Sequence, residues 1–265
     1  MKKDLKFSCL LIALFISCAV RTQTPGYMGK RFALSYGFYF SPAIIGANAH
    51  GKTMVGRDNS KSESGTFAFN TQHQLGIEYV LKNHISVGFA TTYYRTMYDN
   101  SYELGSGNIP SGNYNITGIN YALYFKFYRK AAIAPYGKYF MIGVTLNTTK
   151  STYDRAYMKP KIQSSIPFEN DFGYTTQKYK MPDLVIGWGK NRIIADRVLI
   201  DYGINLQLLG TLNALFGPES FDLDDNSFGF HEGNYVSNYI HNTSRLRSRE
   251  VNKFNVFLKV GVLLF

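Results

Sequence analysis

The sequence predicts an all-β protein, a closed antiparallel transmembrane β-barrel of eight strands. Three observations lead to this prediction. Eight segments alternate large apolar residues with small or polar ones, the connections between these segments are alternately long and short, and an export signal precedes them. Alternation with a period of two indicates a strand with two unlike faces.

The alternation is clearest near residue 200, where Ile200 and Ile204 share one face and Asp201 and Asn205 share the other. The predicted strands are residues 31–41, 67–81, 85–96, 115–128, 135–147, 182–189, 198–209 and 251–265. A tilted strand needs roughly 9–11 residues to cross a bilayer. Only the sixth strand is shorter than this, and it can begin earlier, near Tyr174.

The connections sort by length along the chain. In order they are residues 42–66, 82–84, 97–114, 129–134, 148–181, 190–197 and 210–250. Barrels of the bacterial outer membrane have long extracellular loops at one end and short periplasmic turns at the other. A closed barrel also pairs every backbone N–H and C=O group without needing a long apolar run. We therefore expect both termini on the periplasmic side.

The N-terminal residues 1–22 are predicted to be a signal peptide, which leaves residues 23–265 as the barrel domain. Three lysines fall among the first six residues, and an apolar segment too short to span a bilayer follows at 8–20. Both cysteines, Cys9 and Cys18, lie in this segment, so the mature chain would have no disulfide, thiolate metal site or cysteine nucleophile. Lipidation at Cys18 is the alternative.

The chain ends in an amphipathic strand whose last seven residues, 259–265, read KVGVLLF. With the export signal and the alternating strands rich in glycine and tyrosine, this ending resembles the small outer-membrane β-barrel domain family of Gram-negative bacteria. The resemblance implies localisation in the cell outer membrane and a terminal assembly signal, Phe265, that the barrel-assembly machinery reads. The apolar row of this strand is even-numbered whereas Phe265 is odd, so either a bulge near Gly261 shifts the register or the assembly signal is an imperfect match to the family's pattern.

The inward-facing rows carry few charged residues. An ionised side chain inside a narrow barrel is costly unless it is paired. We therefore predict a lumenal ion-pair network, in which Asp201 and Lys259 meet across the last two strands and which acts as a plug rather than a gate. Its predicted members are Glu78, Lys126, Asp201, Lys253 and Lys259.

Aromatic residues make up 16% of the chain, and several fall near the ends of predicted strands. Tyrosine and tryptophan at such positions form the girdles of a membrane barrel at its two interfaces. The predicted membrane-interface aromatics are Tyr36, Tyr79, Tyr93, Tyr121, Tyr136 and Trp188.

Basic residues exceed acidic ones, 29 to 18, which gives a formal net charge of +11. They are dispersed, so we expect no nucleic-acid partner. The one tight cluster is Arg245, Arg247 and Arg249, at the predicted outer end of the last strand, where it would face lipopolysaccharide. Basic residues of the third long connection, among them Lys150, Lys178 and Lys180, could act in the same way.

The sequence offers no pattern that indicates catalysis. None of the five histidines has metal-ligand spacing, and no Gly-x-Ser-x-Gly segment occurs. We therefore expect no catalytic residue, no metal site and no cofactor.

The leading prediction is a non-enzymatic outer-membrane protein whose long surface loops contact a partner or lipopolysaccharide. The expected partners are outer-membrane lipid, lipopolysaccharide and the barrel-assembly machinery, with a surface or periplasmic protein left open. Two alternatives are a small passive channel for small solutes and a barrel subunit of a secretion or surface assembly. A fourth possibility, a soluble lipocalin-like barrel, would place the apolar rows inside.

Overall fold

Eight antiparallel strands close into a barrel in the computed structural model, which confirms the predicted fold class. The structure describes residues 26–44, 48–50, 52–54, 63–64, 68–99, 113–129, 132–154, 174–208 and 235–264. The barrel strands are β1 (Phe32–Pro42), β2 (Phe69–Lys82), β3 (Ile85–Asp99), β4 (Asn113–Tyr128), β5 (Gly137–Asp154), β6 (Tyr174–Ile194), β7 (Val198–Gln207) and β8 (Phe254–Leu264). A helix, α1 (Tyr235–Lys253), lies between β7 and β8, a 3-10 turn spans Tyr27–Gly29, and Lys52–Thr53 pairs in parallel with Glu63–Ser64. The predicted signal peptide lies outside the described residues.

Each strand pairs with its neighbours in the sequence, and β8 closes the barrel against β1. The strands are staggered. Starting at Tyr128 of β4 and moving from each residue to its register partner on the next strand, one returns to β4 at Gly118, ten residues from the start. A stagger of this kind requires the strands to tilt by roughly 35–45° from the barrel axis.

The large apolar side chains of the strands point outward. Leu75, Val144 and Val260, on three different strands, are 59%, 52% and 53% exposed, while the residues that alternate with them are mostly buried. Only acyl chains make a favourable surrounding for a continuous apolar belt of this kind on a closed barrel. The lipocalin-like alternative, which requires these rows inside, is therefore wrong.

The interior is packed by aromatic rings laid across glycines. Three inward tyrosines each cover the glycine that is their register partner: Tyr94 on Gly118, Tyr124 on Gly88 and Tyr139 on Gly189. A Cβ atom added at Gly118 would stand 2.2 Å from Cζ of Tyr94, closer than any side chain permits. Glycine at these positions is what allows the rings to lie flat and fill the narrow lumen.

The connections differ in length between the two ends of the barrel. Residues 83–84, 129–136 and 195–197 join strands at one end, which we call the short-connection end. Residues 43–68, 100–112, 155–173 and 208–253 join them at the other, the long-connection end. The third long connection is shorter than predicted, because β5 and β6 continue as a hairpin of 18 and 21 residues. The sixth strand thus begins at Tyr174.

The last long connection contains α1 instead of the plain loop that the sequence predicts. β8 consequently begins at Phe254 and not at residue 251. The pairing of β8 with β1 and β7 runs without a break through Gly261, so the bulge considered there is absent. Phe265 itself lies outside the described residues. Of the described helices, none combines the length and apolarity that a membrane crossing needs.

Candidate functional site

Four charged side chains meet inside the barrel, and we call them the charge cluster: Glu78 of β2, Lys126 of β4, Asp201 of β7 and Lys259 of β8. The Lys126 ammonium lies 2.7 Å from Oε2 of Glu78 and 2.9 Å from Oδ2 of Asp201. Nζ of Lys259 lies 3.6 Å from the same Asp201 oxygen, and these two residues are register partners. All four are buried. Because β4 and β8 are on opposite walls, the cluster reaches across the lumen.

Hydroxyl groups complete the coordination of both carboxylates. Tyr128 and Ser86 donate to Oε1 of Glu78 at 2.8 and 2.6 Å, and Tyr139 donates to Oδ1 of Asp201 at 2.6 Å. The ammonium of Lys126 also lies 4.4 Å from the ring centre of Tyr139. The two positive and two negative charges cancel, so the cluster is a neutral layer in which each carboxylate oxygen has a donor.

Lys253 does not join the charge cluster, which corrects the predicted network. It is the last residue of α1, and its side chain is half-buried. The spacing of six residues would place Lys253 and Lys259 on the same face only if both belonged to one strand. β8 starts at Phe254, so Lys253 lies outside it.

A second layer closes the long-connection end of the lumen. α1 packs against inward-facing groups of several strands: Gln72 of β2 donates to the carbonyl of Val251 at 2.9 Å, and the hydroxyls of Tyr179 of β6 and Ser248 lie 3.0 Å apart. Between α1 and the charge cluster lies a small cavity lined by carboxamide groups, among them Gln74 and Asn205. The lumen is thus blocked at two levels.

The arginines of α1 are placed differently from the prediction. Arg245 and Arg247 are buried and Arg249 is half-buried, all on the helix and not at the end of a strand. Arg247 pairs with Glu250 at 2.8 Å and donates to the carbonyl of Met97 at 3.3 Å. Because Arg245 and Arg247 are buried and Arg249 is only partly exposed, the three do not form an exposed patch facing lipopolysaccharide.

A different set of basic residues lies on the outer surface. Arg95 of β3, Thr117 of β4, Lys150 of β5 and Lys178 of β6 are successive register partners, and we call them the outer basic row. The three charged members are exposed, and Lys180 is the next outward residue along β6. On β3 and β4 the row follows directly beyond the apolar belt, since Tyr93 and Ile119 are the preceding outward residues. On β5 and β6 it lies farther out, because Thr148, and Lys180 with Pro182, come between the row and the apolar residues Leu146 and Leu184.

Basic side chains also border the belt at its other end. Lys138 of β5 and Lys190 of β6 are register partners on the outer face, and Arg192 is the next outward residue on β6. On β5 and β6 the belt therefore has basic side chains at both ends, which matches the two headgroup layers of a bilayer.

The predicted interface aromatics point outward, and all but Tyr79, which is half-buried, are exposed. Tyr79 and Tyr136 lie at the short-connection end, and Trp188 is the outward residue before Lys190 on β6. At the other border of the belt, Tyr93 is the outward residue before Arg95 on β3. On the outer face of β4, one residue, Ile119, separates Tyr121 from Thr117 of the outer basic row. Tyr36 is placed differently: it lies in the middle of β1, where its hydroxyl is 2.8 Å from Nδ1 of His73.

The chain is similar in fold to several solved structures. OprG of Pseudomonas aeruginosa is 11% identical, with 92% of this chain and 96% of that chain covered and a TM-score of 0.41. The N-terminal β-barrel domain of OprF from the same organism is 10% identical, with 89% and 98% covered and a TM-score of 0.36. Ail of Yersinia pestis, in complex with the heparin analogue sucrose octasulfate, is 9% identical, with 89% and 99% covered and a TM-score of 0.39. No family model and no curated protein matches the sequence.

The geometry of the chain itself identifies the class of barrel. Eight strands close without a free edge around the barrel, apolar side chains cover the outside, and buried polar groups fill the inside. In hydrocarbon, a closed barrel satisfies every backbone group and an open sheet does not. This protein is an eight-stranded β-barrel of the outer-membrane type.

Proposed function

We propose that this protein is a non-enzymatic outer-membrane barrel whose long-connection end lies outside the cell and contacts lipopolysaccharide. The outer basic row is the observation that carries the proposal. Lipopolysaccharide fills the outer leaflet and presents phosphate groups just above the acyl chains. Arg95 lies at that level, immediately beyond the apolar belt, and Lys150 and Lys178 continue the row farther out along β5 and β6.

The arrangement of the row favours an anionic partner. Lys150 and Lys178 are direct register partners on one face, and like charges so placed destabilise a sheet unless a counter-charge lies near. Three strand spacings separate Arg95 from Lys178, which is about 14 Å. That span allows more than one phosphate to lie along the row, and the guanidinium of Arg95 offers two-pronged hydrogen bonding to one of them.

Neutralising the row tests the proposal. We expect the triple variant Arg95→Gln, Lys150→Gln and Lys178→Gln to bind lipopolysaccharide roughly a hundredfold more weakly, at about 1 kcal/mol per cation. The measurement is titration of the folded protein in micelles with purified lipopolysaccharide. The matched control is Lys138→Gln, Lys190→Gln and Arg192→Gln, which removes the same charge from the other border. Equal affinity in both triple variants contradicts the proposal.

The passive-channel alternative has a separate test. Because the charge cluster and α1 each block the lumen, we expect no steady ion conductance when the protein is inserted into planar lipid bilayers. A reproducible unitary conductance at neutral pH would make the channel the better function.

Two further expectations accompany this function as proposals. Residues 1–22 are removed on export, and the barrel-assembly machinery reads Phe265. A periplasmic partner would meet the short-connection end, where Arg129 and Arg192 are exposed.

A further inference from the structure

We propose that the outer surface of β1–β3 binds the acyl linkages of the same lipid, through Tyr36, His73 and Tyr93. This inference rests on the proposed function and names a second subsite below the phosphates. The lipid part of lipopolysaccharide is a phosphorylated disaccharide whose hydroxyacyl chains are attached by amide and ester bonds. It therefore carries a layer of carbonyl and hydroxyl groups directly beneath its phosphate groups.

The three side chains, with the outward Thr71 and Thr91 beside them, form a polar patch next to the apolar residues Leu75 and Phe89. His73 of β2 is the register partner of Tyr93 on β3 and of Phe38 on β1. The imidazole lies beside two rings of β1, with its centre 6.3 Å from that of Tyr36 in a stacked arrangement and 5.2 Å from that of Phe38 edge-on. His73 and both tyrosines are exposed on the lipid-facing side.

The hydrogen bonding of His73 is incomplete within the chain. Its Nδ1 is 2.8 Å from the hydroxyl of Tyr36, which fixes the ring. Whichever tautomer it adopts, Nε2 is left as a donor or an acceptor, and no described residue is its partner. An unsatisfied polar group facing hydrocarbon is costly, and an ionisable residue there marks a functional site by default. The hydroxyl of the neighbouring Tyr93 adds a second group that can donate or accept.

The position of the patch selects the ligand. Tyr93 and Arg95 lie on the same face of β3 two residues apart, which is about 7 Å along the strand. A lipid whose phosphate rests on Arg95 therefore places its acyl linkages at the level of Tyr93 and His73. Amide and ester groups offer acceptors, and the hydroxyl groups of the chains offer both donors and acceptors, which is the chemistry that Nε2 and the tyrosine hydroxyl can bind.

The test measures binding of purified lipid A to the full folded barrel in micelles. We expect His73→Leu and Tyr93→Phe each to weaken binding about fivefold, the effect of one hydrogen bond. The loss should persist with dephosphorylated lipid A, since the linkages and not the phosphates are contacted. The matched control is Tyr202→Phe, which removes an exposed outward hydroxyl from β7, on the far side of the barrel.

Three results would overturn the subsite. Wild-type affinity in both variants would do so, as would an equal loss in the Tyr202→Phe control. An equal loss of binding to phosphatidylglycerol vesicles would show a general lipid contact and not a site for lipid A. The proposal for the outer basic row is contradicted separately if the triple variant of Arg95, Lys150 and Lys178 binds phosphorylated lipid A as tightly as the wild type does.

Discussion

Replacing Lys126 with methionine is expected to lower the free energy of unfolding by about 3–5 kcal/mol. The substitution keeps the length of the side chain but leaves Glu78 without its cation and Asp201 with only the more distant Lys259. Removing one partner of a buried ion pair exposes the desolvation cost of the other. The measurement is denaturant unfolding of the barrel in lipid vesicles.

Two further variants isolate the buried charge as the cause. Lys190→Met removes an ammonium from the outer face and should change stability by less than about 1 kcal/mol. The double variant Lys126→Met with Glu78→Gln should recover part of the loss, because the cluster then keeps only the Asp201–Lys259 pair. Equal stability of Lys126→Met and wild type would contradict the assignment of the cluster as a structural plug.

Adding one methyl group at Gly118 is expected to destabilise the barrel by about 1–3 kcal/mol. The new Cβ would overlap the ring of Tyr94, which is fully buried and whose hydroxyl is 3.0 Å from both Asn147 and Thr149. The ring cannot move aside without giving up both contacts. Unfolding of Gly118→Ala in vesicles measures the effect.

Gly76→Ala is the matched control for this prediction. Gly76 is also an inward strand glycine, but the nearest atom to its added Cβ is the Ser35 hydroxyl at 3.1 Å, which can rotate at the cost of one 3.3 Å hydrogen bond to the Gly76 carbonyl. We expect a change below about 1 kcal/mol there. If both variants lose the same stability, the cost comes from replacing any inward glycine and not from the tyrosine that covers Gly118.

The strands were predictable because each carries its own signal. Alternation in β7 and β8 identifies both the strand and its inward row, and it therefore places Asp201 and Lys259 inside the barrel. Where both faces are polar, the signal is lost. The outer halves of β5 and β6, including Lys150 and Lys178, look like loop in the sequence for this reason.

Other features depend on register, which no single segment encodes. Arg95 lies near the end of a predicted strand and Lys178 in a predicted loop, and only the pairing of four strands aligns them in one row. Likewise, only the pairing of β3 with β4 places the ring of Tyr94 over Gly118. The sequence does not indicate α1, because Lys253 continues the polar row of β8 and the predicted strand extends back to Val251, although Asn252 interrupts the apolar row.

The direct continuation of α1 into β8 has a consequence for assembly. Phe254 follows Lys253 with no intervening residue, and β8 forms the seam with β1 that shuts the cylinder. Because the two elements are continuous, β8 can pair with β1 only if α1 enters the long-connection end of the lumen at the same time. Closure of the cylinder and insertion of α1 into its long-connection end are thus a single assembly step. An intermediate in which β8 is not yet paired with β1 is also open at that end.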